Sequence, residues 1–571
     1  MGCAGSTSDT VSAKYESGQE ERDGGGEVPP HPPKTKKRDI VPDPTVFKRI
    51  DEHALKAPAS LRKSVSELAN YLVKPAKTNL EKVRAFYRWI TENIRYDTDE
   101  FFHGKISSCE PSYVLKTGKS VCQGYADLFT AFCREVNIPA KTISGHSKGF
   151  GYNAEMVINP NTTTNHAWNV VLLNGDWRFV ECTWGAGHLK GQQFQKQFTE
   201  LYFLTDPKDF INKHFPCMSK NEADDSKWQL LEKPVSLNEF STRVKLDNTA
   251  LELGVIPVSH TSGVIDIKSK DTIVIKDGQG DIESWMMNFA LSDGTDMGNY
   301  AMSYMKNPTT LNIVVRPPRA AKYVLKIFAK CVGKQTGEHN SILEYIVKCS
   351  EPEKPAKPYP LKGTPWAFCP EYKQYGFAAK STTVPIFTAK TGTLSIDIPT
   401  TKHVDAMAKL QHAERRDASL ENCTLIESSA KKLVVKVRLP TEGFYALDIM
   451  AKRPWDGDDK YWSSISYLID CRKPMSPFNP FPFCYFGDIT KYQCRLLEPV
   501  KGSLPAKSAI TFRLESKLLK RVRILQTNLN KTGDGVFEGK VDTPDTGTIT
   551  VYGSENDSGS FSGLYRFSVG S

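Results

Sequence analysis

The spacing of apolar residues divides the chain into a helical first part and a strand-rich remainder. Between residues 61 and 94 apolar residues recur three and four positions apart, which predicts two amphipathic helices, the second with Asn79 as its N-cap. A third helix is predicted to begin near Cys122. Beyond about residue 235, short alternating segments broken by Gly, Pro, Asn and Asp are typical of all-β domains.

A β-hairpin is predicted between the third helix and the β-rich part. Residues 166–173 and 176–184 have the composition of strands, and Asn174-Gly175 between them is a strong tight-turn signal. A two-residue loop pairs Leu173 with Asp176, which makes His166 and Glu181 diagonal neighbours on one face. A three-residue loop would instead put them on opposite faces.

These residues predict a nucleophilic site. A cysteine in the first turn of a helix meets unpaired amides and the positive end of the dipole, which favour the reactive thiolate. With Cys122 there, His166 would serve as the base and Glu181 would orient the imidazole. Taken singly, Cys122 also fits a small buried hydrophobe and His166 a core histidine; their joint pattern favours the nucleophilic interpretation.

Composition narrows the functional class. The chain has 571 residues, enough for several domains, and a net charge of +10 from 75 basic and 65 acidic residues that are interleaved. This distribution argues against a nucleic-acid-binding protein. The 13 cysteines are odd in number and contain no Cys-x-x-Cys, so we expect reduced thiols in the cytoplasm, no metal site and no cofactor.

The N-terminus has the pattern of a lipidation signal. Gly2, followed by Cys3 and by Ser6, matches N-myristoylation with an adjacent palmitoylation site, although such small residues also match by chance. Two acyl chains would hold the protein stably on a membrane. Residues 7–40 lack apolar periodicity and are predicted to be a disordered tether, in which the basic run 34–38 is either a lipid-attracting cluster or a solvated one.

The β-rich part contains a repeat. Tyr323 and Tyr345 head two strands 22 residues apart, and Tyr445 and Tyr467 repeat the same interval. A shorter third copy ends the chain. We therefore predict three immunoglobulin-like sandwiches that bind other proteins, or, as the alternative, only support the first domain.

Three segments carry a resemblance to a known family. They are Ser120-Val121-Cys122-Gln123-Gly124-Tyr125-Ala126, Asn165-His166-Ala167-Trp168-Asn169, and Asp176 to Gly187. Together they resemble the transglutaminase-like superfamily, and more narrowly its kyphoscoliosis peptidase and hillarin group, over residues 45 to 235. The resemblance implies a papain-like fold, a Cys122–His166–Glu181 triad and association with the cytoskeleton. We expect Gln123 and Trp168 to line the cleft, although Trp168 also fits a core aromatic. The family usually has Asp where this chain has Glu181, which puts full activity in doubt.

The predicted class is therefore α+β, a papain-like transglutaminase core followed by tandem all-β immunoglobulin-like sandwiches. The expected domains are a lipidated tail (1–42), the transglutaminase-like domain (43–235) and three β-sandwiches (236–350, 351–472 and 473–571). The predicted function is a cysteine peptidase acting on protein substrates near membrane and cytoskeleton. Two alternatives stay open: a cross-linking transglutaminase, and a non-catalytic scaffold with a degenerate site. Expected partners are a protein substrate, cytoskeletal proteins and, through N-terminal acylation, a membrane.

Overall fold

The computed structural model describes residues 28–104, 107–219, 221–332, 338–369, 371–378, 384–415, 419–455, 457 and 460–570. The chain forms two compact units, Met1–Glu252 and Leu253–Ser571. Gly2 and Cys3, the predicted lipidation sites, lie outside the described residues. No helix among the described residues is long and apolar enough to cross a membrane.

The first unit packs helices against a small antiparallel sheet. The helices are Lys37–Ile40, Lys48–Leu55, Val65–Leu72, Asn79–Asn93, Thr98–His103, Pro111–Thr117, Cys122–Glu135, Cys182–Ala186, Pro207–Phe210, Glu222–Ser226, Leu237–Thr242 and Asn248–Glu252. The central sheet runs in the order Phe203–Thr205, Asp176–Val180, His166–Leu173, Ala140–Ser147, His214–Pro216. Two small pairs, Arg95–Tyr96 with Lys119–Ser120 and Gly187–Lys190 with Gln193–Lys196, complete the strands of this unit.

The predicted hairpin forms with the predicted register over most of its length. Leu173 pairs with Asp176, and Asn174 and Gly175 both have positive φ (52° and 84°), as a two-residue hairpin turn requires. The returning strand is shorter than predicted, because it ends at Val180 and a helix begins at Cys182. The cause is local: the Glu181 carboxylate accepts the main-chain N–H groups of Thr183 and Trp184 and so caps this helix.

The helix Asn79–Asn93 has its N-cap one residue before the expected position. Thr78, not Asn79, is the N-cap: its hydroxyl accepts the N–H of Glu81, whose carboxylate accepts the N–H of Thr78. This reciprocal arrangement is a capping box, which satisfies two amides at once. The apolar side of the helix enters the core of the first unit, with Phe86 and Ile90 fully buried.

Residues 28–40 are ordered, which corrects the prediction of a disordered tether for that part of residues 7–40. Residues 7–27 lie outside the described residues. The main-chain N–H of Lys34 donates to Asp176 and that of Lys37 to Asp206, and the indole N–H of Trp177 donates to the carbonyl of Val28. Residues 28–40 therefore lie along the hairpin side of the sheet. Burial lowers the pKa of the Lys37 ammonium to about 8 against the pull of nearby carboxylates, so the predicted basic run is not a uniformly solvated cluster.

The first unit also extends beyond the predicted boundary at residue 235. The helices Leu237–Thr242 and Asn248–Glu252 belong to it. Their ends are tied to the sheet: Lys148 donates to the carbonyl of Arg243 at 2.6 Å, and Tyr202 donates to the side chain of Asn248 at 2.7 Å.

The second unit consists of three two-layered β-sandwiches. In the first, the sheet Val255–Pro257, Asp271–Asp277, Thr310–Val315, Ala301–Asn307 faces the sheet Val264–Ile267, Asn340–Cys349, Ala321–Cys331, Ile282–Leu291. In the second, Ile386–Ala389, Tyr461–Cys471, Gly443–Lys452, Ala406–His412 faces Thr393–Pro399, Lys432–Arg438, Thr424–Ser428. In the third, Phe483–Cys484, Ser562–Val569, Gly547–Ser554, Arg521–Ile524, Thr527–Asn528, with Ser503–Leu504 beside Ser562–Val569, faces Arg495–Glu498, Ala509–Glu515, Val536–Asp542, Asn530–Thr532. The short helices Tyr372–Tyr375 and Phe486–Lys491 are also part of this unit.

The repeated tyrosines occupy matching places in the first two sandwiches. Tyr323 and Tyr445 are fully buried, and each donates its hydroxyl to the carbonyl four residues upstream, that of Arg319 and Thr441 respectively. The same side chain thus pins the same corner in both repeats. The predicted class, α+β with tandem β-sandwiches, is confirmed.

Candidate active site

Cys122 is the first residue of the helix Cys122–Glu135, as the apolar pattern predicted. The helix follows directly from the short strand Lys119–Ser120, which pairs in parallel with Arg95–Tyr96. Because the first amides of a helix have no partner within it, they are free to face an anion at this end. The partly exposed Cys122 thiol therefore lies where a thiolate is stabilised.

The buried side-chain amide of Asn169 holds this helix on the sheet, at a set distance from the strand that contains His166. The side chain of Asn169 is fully buried and donates to the carbonyl of Ala126 (2.9 Å) and to the hydroxyl of Thr130 (3.0 Å). Asn169 lies three positions after His166 on the strand, and Ala126 lies four positions after Cys122 on the helix. The bond therefore couples the positions of the two candidate reactive groups.

His166 and Glu181 form a buried ion pair. The Nε2 atom of His166 lies 2.7 Å from Oε2 of Glu181, whose side chain is fully buried. The other carboxylate oxygen, Oε1, accepts the main-chain N–H groups of Thr183 and Trp184. All the bonds that fix this carboxylate therefore come from groups that are themselves rigid. The longer side chain of Glu, compared with the usual Asp, is accommodated because the strand has already ended at Val180.

The electrostatics of the pair favour the charged forms. Burial by itself would lower the pKa of the His166 imidazole, but the charge of Glu181 and then that of Cys122 raise it to about 10. Burial opposes ionisation of the Glu181 carboxyl, yet His166 and His214 hold its pKa well below the usual range. Cys122 contributes to the raised pKa of His166, which shows that the two side chains lie near each other. With Nε2 directed at Glu181, Nδ1 is the ring nitrogen left for the thiol.

A second histidine approaches the same carboxylate from the opposite edge of the sheet. His214 is 1% exposed, and its Nε2 lies 3.5 Å from Oε2 of Glu181, too far for a hydrogen bond of ordinary length. Its ring stacks on Phe210 at 4.0 Å and packs at a tilt against Trp184 at 4.4 Å. Burial lowers the pKa of His214 to about 4, although Glu181 pulls the other way. His214 is therefore a neutral group held firmly against the charged pair.

The chain comes close enough for this contact because of a glycine. Gly145 pairs with His166 on one side and with Pro216 on the other, so its strand lies between the strand that contains His166 and the strand that contains His214. A Cβ at this position would lie 2.1 Å from the carbonyl of Phe215 and 2.6 Å from the ring of Trp168. Any larger residue would push the strands apart.

The nitrogen and oxygen atoms of His166, Glu181 and His214 lie within 4.8 Å of one another, the donor set that zinc prefers. His166 and Glu181 already bond each other directly at 2.7 Å, so an ion could enter only by separating them. The present geometry is that of an orienting pair with a neutral neighbour, which is what nucleophilic catalysis requires.

A cavity of about 600 Å³ lies beside this pair. His166 and Trp184 form part of its lining, together with the buried lysines Lys148 and Lys213 and the aromatic Tyr96. Desolvation, together with the nearby charges of Cys122 and Glu181, raises the pKa of the Tyr96 phenol, which places this wall close to the triad. His166 contributes to the lining and Cys122 does not, so the cavity lies beside the thiol.

The two residues expected to line the cleft are placed differently. Trp168 is 1% exposed and packs against Phe210 and His214, so it is a core aromatic, because its strand position faces the interior. Gln123 is partly buried next to Cys122, and its amide donates to Asp127 one turn further along the helix. Neither side chain lines the cavity.

Four residues that surround the site were not predicted from the sequence: His214, Trp184, Lys148 and Lys213. Lys213 and His214 are flanked by apolar residues, with Phe210 and Ile211 before them and Phe215 after them.

Comparisons with known proteins agree with this architecture. Residues 66–182 match the model of the transglutaminase-like superfamily, and residues 237–360 and 367–482 each match the KY-like, immunoglobulin-like domain. The first match spans Cys122, His166 and Glu181. The chain thus joins a transglutaminase-like domain to KY-like immunoglobulin-like domains.

Several relatives are similar to this chain over most of its length. The chain is similar to kyphoscoliosis peptidase of Mus musculus (28% identity over 533 residues, 91% of this chain and 76% of that protein) and of Homo sapiens (29% over 529 residues, 90% and 75%). It is also similar to hillarin of Drosophila melanogaster (25% over 458 residues, 74% and 54%). The predicted resemblance of the transglutaminase-like domain and its β-sandwiches to this group is confirmed.

Proposed function

We propose that the transglutaminase-like domain is a cysteine peptidase that transfers the acyl group of a peptide bond to water. The observation that carries the proposal is the hydrogen-bonded His166–Glu181 pair, at 2.7 Å, next to a cysteine at a helix start. Two relatives bear the name peptidase.

The proposed reaction has two steps that share one intermediate. The Cys122 thiolate attacks the peptide carbonyl carbon, and first-turn amides of its helix stabilise the oxyanion. The C–N bond breaks as the His166 imidazolium gives its proton to the leaving amine, which leaves a thioester on Cys122. Water then attacks the thioester while His166 takes its proton, and the carboxylic acid leaves. Glu181 keeps the imidazole in one tautomer throughout.

The acceptor of the acyl group separates this proposal from the two alternatives. A transglutaminase would form the same thioester and pass it to an amine, whereas a scaffold would form none. Glu181 was the only sequence feature in favour of a degenerate site. Its carboxylate accepts three hydrogen bonds in a productive direction, which supports a working triad.

The pH dependence of alkylation at Cys122 tests the proposal. We expect iodoacetamide to modify Cys122 rapidly below pH 7 in the full chain, with the site identified by peptide mass spectrometry. His166→Ala should abolish this fast reaction. Cys182, fully buried and with its pKa raised well above the usual range by burial, is the internal control that should not react. Reaction of Cys122 only near the pKa of a free thiol, about 8.5, would leave the scaffold as the better account.

The location and partners are proposals of a coarser kind. We place the protein in the cytoplasm, anchored to membranes by acyl groups on Gly2 and Cys3, with the β-sandwiches binding cytoskeletal proteins and presenting a protein substrate to the site. Mass spectrometry of the N-terminal peptide tests the acylation directly, and Gly2→Ala should release the chain from the membrane fraction.

A further inference from the structure

The cavity beside the triad contains basic side chains that nothing in the proposed reaction uses. Its lining contains three lysines, Lys148, Lys213 and Lys245, and one acid, Asp247. Lys245 and Asp247 lie 3.9 Å apart and offset each other. Lys148 and Lys213 are therefore the basic groups of the lining that a bound anion would meet.

Both of these lysines are buried among neutral oxygens. Lys148 is fully buried and donates to the main-chain carbonyls of Ser241 and Arg243. Lys213 is 6% exposed and donates to the amide oxygen of Asn248 and to the hydroxyl of Tyr202. In each lysine these hydrogen bonds use two of the three N–H groups of the ammonium. A buried ammonium is stabilised far more by a carboxylate than by such neutral acceptors.

Lys213 is the closer of the two to the reacting groups. Its Nζ lies 5.5 Å from the centre of the Trp184 ring, on which the His166 ring stacks at 5.0 Å. One indole therefore separates the ammonium from the catalytic imidazole. A ligand group held by Lys213 would lie about one side chain away from a carbonyl presented to Cys122.

The rest of the lining has the opposite character. An aromatic rim, Tyr96, Phe101, Phe150 and Phe194, belongs to the same cavity. Phe101 and Phe150 are 41% and 53% exposed, and their rings touch edge to face at 6.4 Å. A volume of about 600 Å³ is in the range that takes a drug-sized ligand, with an apolar wall and a few polar groups to orient it.

We propose that this cavity is a substrate subsite for a carboxylate, held by Lys213 with support from Lys148, in a peptide whose neighbouring residue is apolar and packs on the aromatic rim. The proposal rests on the proposed function, since it names the class of peptide that the triad would cleave. The carboxylate belongs either to an acidic side chain or to the free C-terminus of the peptide, and the experiment below separates these two sources.

The charge state of the empty cavity agrees with this assignment. Burial lowers the pKa of Lys213 to about 7; Lys245 acts in the same direction, and Asp247 and Glu252 act against it. Burial likewise lowers the pKa of Lys148 to about 7, with Arg243 and Lys245 in support. A bound carboxylate favours the ammonium form, so binding near pH 8 should take up protons and should weaken as pH rises.

The test uses the full chain carrying Cys122→Ala, so that binding is measured without turnover. The probes are acetyl-Phe-Glu-amide and its neutral isostere acetyl-Phe-Gln-amide, with acetyl-Phe-Gln bearing a free carboxyl terminus as the second carboxylate source. Titration calorimetry at pH 7 and low salt should show about tenfold tighter binding of one carboxylate probe than of the neutral one. Whichever carboxylate probe binds tightly identifies the source.

The substitutions assign the effect to the lysine. Lys213→Met should reduce the preference to less than about twofold, and Lys213→Arg should retain part of it because the charge remains. Lys208→Met, an exposed lysine outside the cavity, is the matched control and should retain all of it. Equal binding of the three probes, or an unchanged preference in Lys213→Met, would overturn the subsite.

Two further measurements keep the result decisive. If Lys213→Met fails to fold, proton uptake measured with unsubstituted Lys213 in buffers of different ionisation enthalpy decides: uptake supports the subsite and its absence contradicts it. Binding of these ligands requires no reaction at Cys122. If Cys122 fails the alkylation test and the carboxylate preference is present, the peptidase proposal is contradicted and the binding-site proposal is not.

Discussion

The two units of the chain bury charged side chains for different purposes. In the described part of the first unit the buried charged or histidine side chains are Arg84, Asp97, His146, Lys148, His166, Asp176, Arg178, Glu181, Lys213, His214 and Asp225. In the described part of the second unit they are Asp277 and His412. Desolvating so many charges costs stability unless they pair, and this cost is typical of functional sites.

The partners of these groups differ as much as their number. Asp277 accepts main-chain N–H groups of Gln279, Gly280 and Ile282, so it only closes a turn. His166 and Glu181, by contrast, bond each other and shift each other's pKa. Asp277 of the β-sandwiches thus stabilises the backbone, as Asp225 does in the first unit. Among these buried groups, only the His166–Glu181 pair has the geometry of a nucleophile's base and its orienting carboxylate.

The largest effect should come from the carboxylate of the triad. Glu181→Gln keeps the shape of the side chain but offers His166 an amide, which stabilises the wrong tautomer and no longer favours the imidazolium. We expect thioester formation, measured in single turnovers with an activated ester, to fall about 10³-fold or more. Glu181→Asp should fall less because the charge remains.

The matched control lies in the second unit. Asp277→Asn changes a buried carboxylate of similar exposure and should leave alkylation of Cys122 unchanged. An equal loss in both variants would erase the distinction between the two kinds of buried charge.

His214 should have the next largest effect, as a positioning residue. His214→Phe retains the stack between Phe210 and Trp184 but removes the polar contact with Glu181. We expect turnover to fall about tenfold, as for other groups that orient a catalytic ligand. The pH profile of Cys122 alkylation should shift as well, and a drop in thermal stability without such a shift would indicate a packing role only.

Removal of the Asn169 amide, which links the helix Cys122–Glu135 to the sheet, should have a smaller effect. Asn169→Leu removes the two hydrogen bonds that tie the helix Cys122–Glu135 to the sheet, those to the carbonyl of Ala126 and to the hydroxyl of Thr130. We expect unfolding of the first unit to become easier by about 2 kcal/mol, followed by hydrogen exchange of peptides from residues 122–180. Asn312→Leu, at a buried asparagine of the first sandwich, should leave exchange of those peptides unchanged.

The sequence could predict the parts of the site that depend on local signals. The helix start at Cys122 follows from its apolar stripe, and the pairing of Leu173 with Asp176 follows from Asn174-Gly175. From these alone His166 and Glu181 could be placed side by side. The helix that begins at Cys182 was missed because Glu181 has a strand-like neighbourhood, and its capping role appears only once its carboxylate is positioned.

The remaining features depend on contacts between residues far apart in sequence. Two strands lie between the strand of His214 and the strand that Glu181 follows, and residues 28–40 are ordered by bonds to Asp176 and Asp206. Composition predicts disorder for that segment because its order comes from the surface it lies on and not from its own apolar residues. Lys148 and Lys213 are ordinary lysines in sequence, and only the fold buries them.

The smallest expected effect is a difference between the two units in how their stability depends on pH. The pKa of Lys148 is lowered by burial to about 7 in the folded chain, against 10.5 for an ordinary lysine. The unfolded chain therefore binds more protons between these values, so this group makes the first unit more stable as pH rises from 7 to 10.5.

His166 acts in the opposite sense: its stabilising charge, fully present below pH 6.5, is lost as pH rises through about 10. Lys148→Met should reduce the alkaline gain, measured as the pH dependence of urea midpoints for the first unit by hydrogen exchange. Part of the gain should remain, because burial also lowers the pKa of Lys213 to about 7 and that of Lys37 to about 8. Lys208→Met should keep the wild-type profile, and the second unit should show neither change. An unaltered slope in Lys148→Met would mean that Lys148 stays charged in the fold, and the contrast between the units would then rest on the triad alone.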